Sequence, residues 1–166
     1  LAYHLLANSF DLVIIETVGA GQSEMRCAAV ANRIVVIEGP ARGDGIQAEK
    51  AGLLELADLI VVNKSDLDGT DKVVNDLLMS LGLTEDAPPI LKTSTITGDG
   101  LDELAETIVD LKERVSSQRA RNRQQILMAH ENILTSNPRF EMVLDRMSEE
   151  GLVLEDAMRE LNDRTS

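Results

Sequence analysis

Apolar residues follow two rhythms along this chain. In the first part, short runs rich in Val and Ile alternate with stretches of helical spacing, and in the last part only the helical spacing remains. Residues 10–16 (F-D-L-V-I-I-E), 33–38 (R-I-V-V-I-E), 59–63 (L-I-V-V-N) and 90–93 (I-L-K-T) are bounded by Gly, Pro, Asp or Asn and read as buried strands. Between them the spacing predicts a short helix from Ser23 to about Ala31, one carrying Ile46, Leu53, Leu54 and Leu56, and one over 70–81 with Val73, Val74, Leu77, Leu78 and Leu81 on one side. A further helix is predicted over 101–115 with Leu101, Leu104, Ile108, Val109 and Leu111 apolar. Alternation of this kind predicts an open parallel α/β sheet with flanking helices.

Past Val115 the pattern changes. Residues 116–123 are polar and hold three arginines, and no strand-like run follows. Ile126, Ile133 and Leu134 predict a helix that stops before Asn137-Pro138, and two shorter helices are predicted near 140–147 and 154–161, with Gly151 between them. The expected division is therefore 1–115 as an α/β domain and 116–166 as an all-helical arm. An arm of that size builds little core of its own and should pack on the domain or on another copy.

Composition narrows the function. The 166 residues carry 16 Lys and Arg against 29 Asp and Glu, a formal net charge of -13, which disfavours nucleic acid or an anionic membrane as partner. No apolar run approaches the roughly 18 residues needed to span a bilayer. Cys27 is the single cysteine, so no intrachain disulfide can form. The two histidines, His4 and His130, lie far apart, which disfavours a zinc or nickel relay. The chain starts at Leu1 rather than Met and is expected to be a fragment of a longer protein.

Candidate chemistry gathers where the predicted strands end, the place at which parallel sheets bind ligands. The third strand delivers Asn63-Lys64-Ser65-Asp66, an N-K-x-D sequence. The Asp66 carboxylate can accept two parallel hydrogen bonds from the N1–H and exocyclic amine of guanine, donors that adenine lacks on that edge. Asn63 can serve the remaining polar edge or tie neighbouring loops, and the stem of Lys64 can lie along the ring. The alternative is a polar turn after a core strand that caps the next helix.

Three further segments can be read in the same way. Glu16-Thr17-Val18-Gly19 ends the first strand, where a carboxylate can hold Mg2+ through water and a glycine amide can approach a γ-phosphate; otherwise it is an ordinary glycine turn. Ser94, Thr95 and Ile96 follow the last strand, where a backbone N–H near Thr95 or Ile96 could donate to guanine O6; otherwise this is a Ser/Thr-rich loop. Asp44, Gln47 and Lys50 open a helix beside three glycines, either as a moving segment or as a capped surface helix.

Taken together, E-T-V-G-A-G-Q-S-E at 16–24, Gly43-Asp44 with Gln47 and Lys50, E-L-A-D-L-I-V-V-N-K-S-D at 55–66 and Lys92-Thr93-Ser94 resemble the MeaB/ArgK family, GTPases associated with methylmalonyl-CoA mutase. The resemblance implies a P-loop NTPase-type sheet of the SIMIBI class, incomplete at its amino-terminal side, followed by a helical dimerisation arm. It implies GTP or GDP with Mg2+ as ligands, and a homodimer that chaperones cofactor loading and protection of an adenosylcobalamin-dependent acyl-CoA mutase. The location it implies is the cytoplasm, or the mitochondrial matrix in a eukaryote.

By position, Glu16 would serve Mg2+ and Gly19 would sense the γ-phosphate. Asn63, Lys64, Asp66, Ser94, Thr95 and Ile96 would read guanine, and Asp44, Gln47 and Lys50 would form the switch towards the mutase. The departure is the lack of any G-x-x-x-x-G-K-[ST], the loop that cradles phosphates. The chain by itself is therefore expected to hydrolyse GTP negligibly and to present an apolar sheet edge. A non-catalytic interaction module and a transport-system kinase are the alternative functions.

Overall fold

The computed structural model describes residues 8–17, 30–40, 48–82 and 86–162, together with Leu6 and Cys27. In chain order its elements are β1 (Val35–Glu38), α1 (Ala48–Leu56), β2 (Leu59–Val62), α2 (Thr70–Leu81), β3 (Ile90–Lys92), α3 (Leu101–Asp110), α4 (Val115–Thr135), α5 (Phe140–Glu149) and α6 (Leu154–Asn162). The chain falls into two compact units, Leu1–Asn122 and Arg123–Ser166.

The first unit is a parallel three-stranded sheet with β2 in the middle. Val35 lies opposite Leu59 and Glu38 opposite Val62 on one side, and Ile60 opposite Ile90 on the other. All four residues of β2 are buried, which is why its sequence is continuously apolar and not alternating. Ile60 and Val62 join Ile34, Val36, Leu54, Leu56 and Leu77 in the core, and Val73, Val74 and Leu81 of α2 pack against that cluster. Those positions recur at the helical period, so one face of α2 is sealed while Met79 remains exposed. Gly69 and Gly82, both at positive φ, bracket the helix.

Two expectations from the sequence are corrected. Residues 10–16 form no strand: an extended segment needs a neighbour for its N–H and C=O groups, and none of the described strands pairs with it. Phe10, Leu12 and Ile14 stay exposed in consequence. The helix expected over 101–115 stops at Asp110, and a new helix, α4, already begins at Val115 with the polar stretch 116–123 as its opening.

That opening is polar because it docks on a buried carboxylate. Asp58, immediately before β2, is fully covered, and its Oδ2 accepts the Ile34 N–H at 2.9 Å and Arg121 Nη1 at 2.7 Å. Its Oδ1 accepts Ser117 Oγ at 2.5 Å and the Arg114 N–H at 3.3 Å. Arg121 Nη2 also pairs with Glu113, while Arg114 grips the carbonyls of Ala57 and Asp86. Every buried charge here is paired and hydrogen-bonded, the condition under which a protein interior tolerates it. Asp86 holds the start of α4 by accepting the Ser116 N–H at 2.9 Å. Hydrogen bonds from the Ser116 hydroxyl and N–H keep its carboxyl below the ordinary carboxylate range.

The second unit is helical. Val143 of α5 and Ala157 of α6 are buried, Asn137 Nδ2 donates to Leu161 O at 2.9 Å, and Arg146 Nη1 meets Glu160 Oε2 at 2.6 Å. Gly151, at φ 74°, makes the turn between the two helices.

Asp58→Asn leaves the buried Arg121 with Glu113 as its one carboxylate partner among the described residues and should cost about 3–5 kcal/mol, the usual loss when one partner of a buried pair is removed. Asp71→Asn breaks only the exposed pair with Lys92 and should cost less than about 1 kcal/mol. Urea denaturation of the two variants checks this; equal midpoints would mean that the Asp58 network does not hold the first unit together.

Candidate functional site

The loops leaving β2 and β3 are stitched side by side. The Asn63 N–H donates to Glu38 O at 2.8 Å, and the Ser65 N–H donates to Thr93 O at 2.9 Å. Asn63 Oδ1 accepts the Lys64 N–H at 2.8 Å and Thr93 Oγ at 3.4 Å. Of the two tasks open to Asn63, this side-chain oxygen performs the tying of loops. Lys64 has φ 62° and is the one non-glycine residue at positive φ among those described. A left-handed lysine costs roughly 1–2 kcal/mol and is kept only where surrounding bonds over-determine it, as they do here.

Ser94 is the pivot between the loops. Fully buried, its Oγ donates to Asp66 Oδ1 at 2.5 Å and accepts the N–H groups of Ile96 and Thr97, each at 3.2 Å. Its own N–H donates to Asp99 O at 3.0 Å and its carbonyl accepts the Gly98 N–H at 2.9 Å. The turn closes at Gly100, φ 71°, where a Cβ would collide with the Lys92 carbonyl oxygen, so only glycine fits.

Two groups are left open by this arrangement. Asp66 is exposed, and its Oδ2 accepts no hydrogen bond among the described residues. The Thr95 N–H likewise donates to none of them. An acceptor carboxylate and a neighbouring backbone donor, fixed to one another through Ser94, match an edge that offers two N–H donors beside a carbonyl oxygen. Of the two amides named for that donor, Ile96 is already engaged with Ser94 and Thr95 is free for a ligand.

A shallow depression of about 330 Å3 borders Asp66 and is lined by Asp68, Asp71 and Lys92 as well. Lys92 Nζ sits 3.2 Å from Asp71 Oδ1, so the cation that lines this depression is paired with a carboxylate. Three carboxylates outweigh the single paired lysine and disfavour phosphates, and the electrostatics suit a neutral ring.

Glu16 and Thr17 are exposed at the end of the unpaired 10–16 segment. Gly19, Asp44 and Gln47 lie outside the described residues, and Lys50 falls within α1 with its side chain outside them. Among the described residues no group of three or more His, Cys, Asp or Glu could hold a metal, and no helix is long and apolar enough to cross a membrane. The residues sequence reasoning missed are Asp99 and Gly100, which shape the turn. The Gly98-Asp99-Gly100 signature ahead of an apolar-periodic helix was the available signal.

This chain is similar in sequence to known proteins. A family model described as methylmalonyl Co-A mutase-associated GTPase MeaB matches residues 3–150. A protein of Pyrococcus horikoshii that bears a GTPase name is 39% identical over 109 residues, covering 61% of this chain and 34% of its own length. The GTPase ArgK of Escherichia coli is 34% identical over 132 residues, 72% of this chain and 40% of its own. The mitochondrial methylmalonic aciduria type A homolog of Mus musculus is 32% identical over 125 residues, 69% of this chain and 30% of its own. The chain thus spans 30–40% of the length of these relatives.

Ser94→Ala removes the acceptor of two amides and the donor to Asp66. Hydrogen exchange at Ile96 and Thr97 should accelerate on the order of tenfold, the equivalent of one ordinary hydrogen bond. Unchanged protection at both amides would show that backbone geometry alone holds the turn.

Proposed function

Because this chain belongs to the methylmalonyl-CoA mutase-associated GTPase MeaB family, we propose that its 63–66 and 93–97 loops are the base-reading part of a GTP-binding and GTP-hydrolysing chaperone for an adenosylcobalamin-dependent acyl-CoA mutase. The observation that carries this reading is the pairing of Asp66 with Ser94 beside the open Thr95 N–H. Asp66 accepts from guanine N1–H and the exocyclic amine, and the Thr95 N–H donates to O6. Adenine would bring its amine against that N–H and offer nothing to the carboxylate. Ser94 acts through Asp66 by fixing the angle of the carboxylate, Asn63 ties the loops, and the exposed Lys64 presents its stem to the ring.

The phosphates belong elsewhere, since the acidic floor beside Asp66 opposes them. This sequence holds no G-x-x-x-x-G-K-[ST], so a phosphate-cradling loop would lie outside it, and Gly19 would approach the γ-phosphate that such a loop presents. Mg2+ keeps most of its waters and needs only one or two carboxylates besides the phosphates, so the exposed Glu16 fits an outer, water-mediated place on it. The ion would neutralise charge that develops on the phosphate oxygens.

Asp44, Gln47 and Lys50 would report nucleotide state to the mutase. Residues 116–166 would form the homodimer arm, a role supported by the exposed Ile126, Leu127, Ile133, Met142 and Leu144. The family description and the name of the mouse relative support the mutase as partner.

Asp66→Asn tests the reading in the full-length gene product. An amide replaces one acceptor oxygen by a donor, so affinity for GDP should fall by about 100-fold or more, while xanthosine diphosphate, which has a carbonyl at that edge, should gain. GDP titration followed by calorimetry that finds wild-type affinity in the variant would contradict guanine recognition by these loops.

A further inference from the structure

The N-K-x-D loop is held from two directions, and only one of them is Ser94. Asp66 lies inside a turn in which the Leu67 N–H donates to Lys64 O at 3.0 Å. The carbonyl of Leu67 in turn accepts Thr70 Oγ1 at 2.9 Å. Thr70 is the first residue of α2 and is buried, although Asp66, Leu67, Asp68 and Gly69 before it and Asp71 after it are all exposed. A hydroxyl that opens a helix from the N-cap accepts an amide of the first turn. Here the N-cap is Gly69, at φ 94° and without a side chain to offer, and the Thr70 hydroxyl one place later donates backwards into the loop.

Two neighbouring contacts are weaker. Lys92 Nζ pairs with Asp71 at 3.2 Å, but both side chains are more than half exposed, and water screens such a pair. A Cβ on Gly69 would stand 4.0 Å from the Pro40 Cβ, an ordinary contact that sets spacing without direction. The Thr70 bond is both buried at its donor and directional.

Guanine makes an angular demand on Asp66. To accept N1–H and the exocyclic amine together, both carboxylate oxygens must lie in the plane of the base. Ser94 fixes where Oδ1 lies, but the carboxylate can still turn about that point if the main chain rocks. A tie on the side chain sets a point, and a tie on the main chain one residue further sets the plane.

We infer that Thr70 is a positioning residue for the base site: its hydroxyl, by holding the Leu67 carbonyl, keeps Asp66 in the orientation that takes the exocyclic amine as well as N1–H. The inference rests on the guanine reading above. It adds that discrimination between a 2-amino purine and its 2-unsubstituted analogue depends on a residue that touches neither.

The test compares Thr70→Val, which keeps the shape and loses the hydroxyl, with Thr70→Ser, which keeps the hydroxyl, in the full-length gene product with Asp66→Asn alongside. Inosine diphosphate has the N1–H and 6-carbonyl of GDP but no exocyclic amine, so calorimetric titration with both reads the second hydrogen bond of Asp66. Thr70→Val should lower the GDP-to-inosine-diphosphate affinity ratio roughly three- to tenfold, chiefly through GDP, and Thr70→Ser should keep the wild-type ratio. Leu67 is exposed, so water can replace the lost donor and the melting temperature should move little. Thr70→Ala serves the same comparison if the valine variant does not fold. Equal weakening of both nucleotides, or no change in either, would leave Thr70 a merely structural residue and overturn the inference while the guanine reading stands. A serine variant that behaves like the valine one would assign the effect to the γ-methyl and overturn it as well. If Asp66→Asn binds GDP as the wild type does, the guanine reading itself falls.

Discussion

β2 is buried on both faces and paired on both edges, so its polar neighbours can act only at its two ends. That constraint organises the first unit. At the amino end Asp58 gathers the Ile34 N–H, Ser117 and Arg121, which fixes β1 and the first turns of α4 to the same point. At the carboxyl end the chain leaves through Asn63, whose backbone and side chain fasten it to the exits of β1 and β3. A strand pinned at its root is a stiff mount for a recognition loop, and the stiffness comes from burial and pairing rather than from the loop itself.

The loop proposed to read the base is positioned by a buried hydroxyl with three polar partners. Ser94 spends its proton on Asp66 and its lone pairs on two amides, which orders the next turn and leaves the Thr95 N–H as the free donor. An alanine at position 94 would preserve the fold of the sheet and still blur the site. The left-handed Lys64 and the close-packed Gly100 are the backbone counterparts of this ordering.

Most of the sheet was legible because its strands are apolar runs bounded by breakers, and the helix over 70–81 because its apolar stripe holds the helical period. The position of the N-K-x-D loop and the Ser94 segment was legible because each follows an apolar run that forms one of two neighbouring parallel strands. What could not be read was the pairing of 10–16, since an apolar run does not state whether a neighbour exists to accept its hydrogen bonds. The anchoring of α4 was not legible for the opposite reason: the buried Asp58 that faces Ser117 and Arg121 is not visible from their own positions in the sequence. Nor could sequence choose between the amides of Thr95 and Ile96, because that choice depends on the position of the Ser94 hydroxyl.

The most direct measurement is the backbone amide spectrum of the full-length protein titrated with GDP, inosine diphosphate and ADP. The account predicts a large downfield shift of the Thr95 N–H with GDP and with inosine diphosphate, both of which carry a 6-carbonyl, and none with ADP. A Thr95 amide that responds equally to ADP, or that stays still while GDP saturates the protein, would contradict the assignment of these loops to guanine.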